Sequence, residues 1–78
     1  MNLKEKTLVA LTYLQAYSDG DTDTVLAVTN TVSQEQLTEG LAEAARVITL
    51  SLSQQMFPGK EPDVGVVLTA LREIYFNE

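Results

Sequence analysis

Gln34–Met56, QEQLTEGLAEAARVITLSLSQQM, is the longest uninterrupted helical pattern in the chain, and its reading decides the fold. Ser33 stands where a helix N-cap belongs, with Gln36 three residues on in the reciprocal pairing of a capping box and Val32 and Leu37 bracketing it as a hydrophobic staple. Leu37, Leu41, Ala44, Ala45, Ile48, Leu52 and Met56 then recur at three- and four-residue steps and fall on one face. That face is the expected core stripe. The pairs Leu37/Ile48, Leu41/Leu52 and Ala45/Met56 repeat at eleven residues, whereas a heptad continuation would bring Ser51 and Gln55 into the seam, so the pattern belongs to a straight globular helix. Such a helix spans roughly 34 Å. Gly40 costs it about 1 kcal/mol against alanine, so this residue either admits a close neighbour or lies on the surface.

Val47, Leu50 and Phe57 lie round the helix from the stripe, among Glu43, Arg46 and Gln54. Two covers suit them: a neighbouring helix of the same chain, as for any helix that is apolar on more than one side, or another protein surface.

Asn2 with Glu5 reads as the start of a first helix, whose stripe Leu3, Ala10, Leu11, Leu14 and Tyr17 runs to about Ser18. Val9, Tyr13 and Ala16 widen its apolar arc, and Leu8 sits apart on the other side. Ser18, Asp19, Gly20 and Asp21 form a turn, with Gly20 suited to the left-handed conformation that ends a helix. Asp21 or Thr22 then caps a short second helix carrying Val25, Leu26, Val28 and Val32, against the strand propensity of its Val and Thr residues. After the long helix, Phe57–Pro62 is rich in breakers because each proline disfavours helix in the residue before it. Asp63 caps a last helix with Val64, Val67, Leu68, Leu71, Ile74 and Tyr75 on its expected buried face and Val66 and Phe76 outside it.

The 78 residues make one domain, 1–78, of a size that folds with little stability to spare. The chain contains no cysteine and no histidine, which excludes disulfides and the thiolate or imidazole metal sites. Self-association is the remaining common source of added burial. The net charge is −6, with the bases Lys4, Lys6, Arg46, Lys60 and Arg72 scattered along the chain, an arrangement opposed to direct nucleic-acid binding. Absence of cysteine fits a cytoplasmic protein. The lysines before Thr7–Leu14 imitate a secretory signal, but Glu5, Thr7, Thr12 and Gln15 interrupt the apolar run and its period is helical. No run reaches the roughly 18 apolar residues of a membrane span.

Asp19, Asp21 and Asp23 have the alternate spacing of the first calcium-loop ligands. Thr24 stands where that loop turns on glycine and Asn30 where a glutamate closes it, so an interhelical turn with an aspartate cap is the reading preferred. Glu35, Glu39 and Glu43 form a same-sign column that is either a solvated face or a mimic of nucleic-acid phosphates, the former being preferred. Without histidine or cysteine the common nucleophile–base pairs are missing, and neither a phosphate-binding glycine loop nor a cofactor motif is present. No catalytic, metal or cofactor residue is assigned.

AYSDGDTDTVLAV, SQEQLTEGLAEAARVI and the closing DVGVVLTALREI resemble short uncharacterised helical proteins of actinobacteria and their phages. The resemblance implies a small helical accessory protein and carries no functional residue across. YLQAYSDGDTDTVLAV is also similar to the opening helical hairpin of the nuclear-transport-factor-2-like fold, whose long curved sheet has no counterpart in the sequence that follows.

The expectation is an all-α fold: a small antiparallel bundle of four helices, one of them short, organised around a long third helix. The expected function is that of a non-enzymatic, acidic interaction protein, self-associating as a homodimer through Val47, Leu50 and Phe57 together with Leu8 and Phe76. The alternative is an acidic inhibitor or nucleic-acid mimic that binds a basic host protein.

Overall fold

Four capping side chains set where the helices begin. The computed structural model describes residues 1–77, and its helices are α1 (Leu3–Asp19), α2 (Thr22–Thr31), α3 (Gln34–Met56) and α4 (Val64–Phe76). The Asn2 carboxamide oxygen accepts from the Glu5 amide at 2.8 Å, Asp21 accepts from Thr24 at 3.2 Å, Ser33 from Gln36 at 3.2 Å and Asp63 from Gly65 at 2.8 Å. Each satisfies an amide that has no carbonyl within its own helix. Gly20, at φ 70°, closes α1: its amide reaches the Tyr17 carbonyl and that of Asp21 reaches Ala16, the paired bonds of a Schellman end. The all-α class, with a short second helix and a long third, is therefore the observed one, and no strand occurs among the described residues.

Val and Thr do not turn α2 into a strand, and its threonine hydroxyls bond within the helix. Thr29 donates to the Leu26 carbonyl and Thr31 to that of Ala27. The same habit recurs elsewhere, Thr7 bonding to Leu3, Thr12 to Leu8, Thr38 to Gln34, Thr49 to Ala45, Ser51 to Val47 and Thr69 to Gly65. Each of these hydroxyls donates to a backbone carbonyl one turn back.

The chain divides into two compact units, Met1–Ala44 and the part from Ala45 onward. In the first, α1 packs against α2 and against the opening turns of α3. The contact with α3 is made backbone to side: a Cβ on Gly40 would stand 2.6 Å from the Lys6 carbonyl carbon and 3.1 Å from the Ala10 Cβ. Gly40 and Ala10 are buried at this seam, and Ala16, Leu37 and Ala44 are buried elsewhere in the unit. Lys6 and Glu39 pair across it at 2.5 Å.

This close approach corrects the expected face of α1. Leu3, Leu11, Leu14 and Tyr17 are exposed, while Ala10 and Ala16 are buried and Val9 and Tyr13 half-buried. Helices that meet through glycine and alanine leave no room for leucine between them, so the long side chains lie beside the seam. Tyr13 and Tyr17 stack beside one another, centroids 6.4 Å apart.

Helix propensity alone would make Gly40→Ala stabilising by about 1 kcal/mol. The added methyl cannot fit without moving α1, so the expected outcome is a net loss of about 1–3 kcal/mol, the usual cost of overpacking. Urea denaturation of the two proteins measures it.

Candidate functional site

The second unit is built around polar side chains. Thr49 and Ser53, one turn apart on α3, are buried, and Leu50 beside them is half-buried. Thr49 donates to its own helix at the Ala45 carbonyl. Ser53 accepts from the Asp63 amide at 3.0 Å, tying the residue that caps α4 to the side of α3. Between them the Phe57 amide continues the helix ladder to Ser53, and the Lys60 amide bonds back to the Phe57 carbonyl, with Gly59 at φ 83° completing the turn. Among the described residues of this unit, Val67 is the one enclosed apolar side chain, 2 % exposed.

The expected core of this half is thus on the outside. Ile48, Leu52 and Met56 are 54 %, 41 % and 45 % exposed, and on α4 Leu68, Leu71, Ile74 and Tyr75 are exposed as well. The reason lies in a contact between helices: the connection places the Asp63 amide where it needs an acceptor, and a small hydroxyl side chain can supply one inside a close contact whereas a leucine cannot. The face carrying Thr49 and Ser53 consequently turns inward, and the apolar stripe stays free.

The residues expected at a contact surface are distributed between the units. Val47, Phe57 and Phe76 are exposed in the second unit, Phe76 by 90 %, and Leu50 is half-buried. Phe57 borders a hollow of about 220 Å³ with Ser53, Asp63 and Val66. Leu8 is exposed in the first unit, at a groove of about 440 Å³ that also touches Ala16, Asp21 and Thr24. The structure therefore groups four of the five in one unit and leaves Leu8 in the other. The signal for Ile48, Leu52 and Met56 was in the sequence too, since no charged residue occurs between Arg46 and Lys60.

Charge follows the same division. The first unit carries Glu5, Asp19, Asp21, Asp23, Glu35, Glu39 and Glu43 against Lys4 and Lys6; the second carries Glu61, Asp63, Glu73 and Glu78 against Arg46, Lys60 and Arg72. Of the aspartates at calcium-loop spacing, Asp19 accepts from Gln15 at 3.0 Å and Asp21 caps α2. No group of three carboxylates among the described residues is placed to hold a metal ion. In the glutamate column Glu35 and Glu39 are exposed and Glu43 half-buried, and Glu39 also pairs with Lys6. Among the described residues, no helix is long and apolar enough to cross a membrane.

No family model matches the chain. Neither a curated protein nor a solved structure matches it either.

The Thr24 hydroxyl at 2.6 Å, and then the Thr24 amide, hold the Asp21 carboxyl below the ordinary aspartate pKa. A carboxylate whose folded pKa is lowered contributes stability above its unfolded pKa and loses that contribution as the pH falls through the lowered value. Asp21→Asn keeps a cap but not the charge. Melting temperatures should differ at pH 7, wild type being higher, and the difference should shrink as the pH falls through the lowered value. Ser53→Ala leaves the Asp63 amide without its acceptor, worth about 1 kcal/mol. Amide exchange in Val64–Ala70 should then quicken roughly fivefold, with exchange in α1 unchanged.

Proposed function

We propose that this protein is a non-enzymatic helical interaction protein that self-associates as a homodimer through apolar helix faces and works in the cytoplasm. The observation that supports it is the second unit, where the apolar residues of α3 and α4 lie largely outside and the enclosed positions are Thr49, Ser53 and Val67. A domain of this size has little core to spare, and disulfides, metals or association are the common sources of added stability. This chain contains no cysteine or histidine, so the associated surface is the remedy that its composition leaves open. The resemblance of its segments to short helical proteins of actinobacteria and their phages suits an accessory role of this kind.

A second reading has its own observation. Acidic side chains are gathered in the first unit, where seven carboxylates face two lysines. Such a surface suits a basic protein partner, as in an inhibitor that occupies a nucleic-acid-binding face. The two readings are compatible, because they use different units.

Light scattering behind size exclusion, over a range of protein concentration and at low and high salt, tests the first reading. The expected result is a dimer that persists at high salt, because apolar contact depends weakly on ionic strength while an electrostatic complex is lost with it. A monomer at every concentration up to about 1 mM, a Kd that corresponds to only some 4 kcal/mol, would overturn it.

A further inference from the structure

We infer that the Asp19–Gly20 bond is a site of spontaneous covalent modification, the formation of isoaspartate, which the end of α1 holds closed while the chain is folded. The inference is independent of the self-association proposed above and lies wholly within the first unit.

The reaction joins an aspartyl side-chain carbon to the backbone nitrogen of the next residue. Here the Gly20 nitrogen attacks Cγ of the Asp19 carboxyl group, the N–H proton and the carboxyl hydroxyl leave as water, and a five-membered cyclic imide remains. Water then adds to one of the two imide carbonyls. Opening at Cγ restores the original chain, whereas opening at the Asp19 backbone carbonyl routes the chain through Cγ and frees an α-carboxylate. One water is lost and one regained, so the mass is unchanged and no other reactant is needed.

The sequence selects this position. A side chain on the following residue crowds the ring closure, and glycine has none. The aspartates Asp19, Asp21, Asp23 and Asp63 precede Gly20, Thr22, Thr24 and Val64, so every one but Asp19 is followed by a β-branched residue. Asn2, Asn30 and Asn77, whose carboxamides can react in the same way, precede Leu3, Thr31 and Glu78. Asp19 and Gly20 are both exposed, so water reaches them.

The structure sets the rate. The Asp19 carboxylate accepts from the Gln15 carboxamide one turn back at 3.0 Å, in the direction in which helical side chains lean. The Gly20 amide donates to the Tyr17 carbonyl at 3.3 Å, and an amide engaged in this way gives up its proton less readily. Both reacting groups are thus occupied, and cyclisation waits for the last turn of α1 to open. Helix ends open more often than helix interiors, so the folded chain reacts slowly rather than not at all. The product cannot rebuild that end. An isoaspartyl linkage inserts one more carbon into the main chain just before the amides of Gly20 and Asp21, which close α1 on Tyr17 and Ala16, and it displaces the residue that caps α2.

The experiment incubates the protein at physiological pH and temperature, folded and in concentrated guanidinium chloride, and quantifies isoaspartate at each aspartate by peptide mapping with fragmentation mass spectrometry. In denaturant, wild type is expected to accumulate isoaspartate at Asp19 ahead of Asp21, Asp23 and Asp63, and Gly20→Ala to suppress it severalfold, a comparison in which neither chain has to fold. The folded wild type should react about tenfold more slowly than the unfolded one, the ratio being set by how rarely the helix end opens. Folded Gln15→Ala, checked by circular dichroism, should react about twofold faster than folded wild type, and the two should match in denaturant. The modified chain, separated by chromatography, should lose amide-exchange protection at Gly20 and Asp21.

If another aspartate leads in denaturant, or none reacts, the site is wrongly assigned. Equal rates in the folded and unfolded chain would overturn the gating by α1, and an unaltered rate in folded Gln15→Ala would overturn the part given to that side chain.

Discussion

At Gly40 the backbone of α1 lies directly against α3, and the arrangement of the first unit follows from that approach. With no Cβ at this position the Lys6 carbonyl can come into contact with the α3 backbone, and the Ala10 methyl lies close beside it. Dispersion between atoms packed at this distance replaces the burial of large side chains. The consequence is an interior made of small residues. It orders the chain, yet removes comparatively little apolar surface from water, and leaves the leucines of α1 at the edges of the seam.

The second unit reaches a similar result by a polar route. There the Ser53 hydroxyl holds the Asp63 amide, and the short connection from Phe57 fixes where α4 can start. Thr49, Ser53 and Val67 are the enclosed side chains of this unit, an interior that satisfies hydrogen bonds but offers little hydrophobic stabilisation by itself. Both units therefore enclose mainly small or polar side chains, and they differ in charge, the first being acidic and the second close to neutral.

The helices themselves were legible in the sequence because their determinants are local. Asn2, Asp21, Ser33 and Asp63 each bond to an amide two or three residues on, Gly20 ends α1, and Gln34–Met56 has the bounds expected of it. The choice of buried face was not legible to the same degree. Periodicity placed Leu11, Leu14, Ile48, Leu52 and Met56 inside, but how near two backbones come depends on which residue opposes Gly40, and the inward turn of Ser53 depends on an amide ten residues away. Both are tertiary facts. Of the residues expected at a contact, Val47, Phe57, Leu8 and Phe76 are exposed and Leu50 is half-buried, whereas the α3 stripe had been assigned to the core by the same periodic pattern that makes it a good surface for another helix.

The threonines add one more consequence. Thr12, Thr38 and Thr69 are exposed, yet each hydroxyl is already bonded to a carbonyl of its own helix one turn back. Such a side chain needs no water to satisfy its donor, and its methyl group is held in a defined rotamer. Any surface that comes to lie over it dehydrates the threonine without stranding that donor, and freezes little motion that was not frozen before. Helices with a polar composition can in this way present dry, rigid faces to whatever covers them.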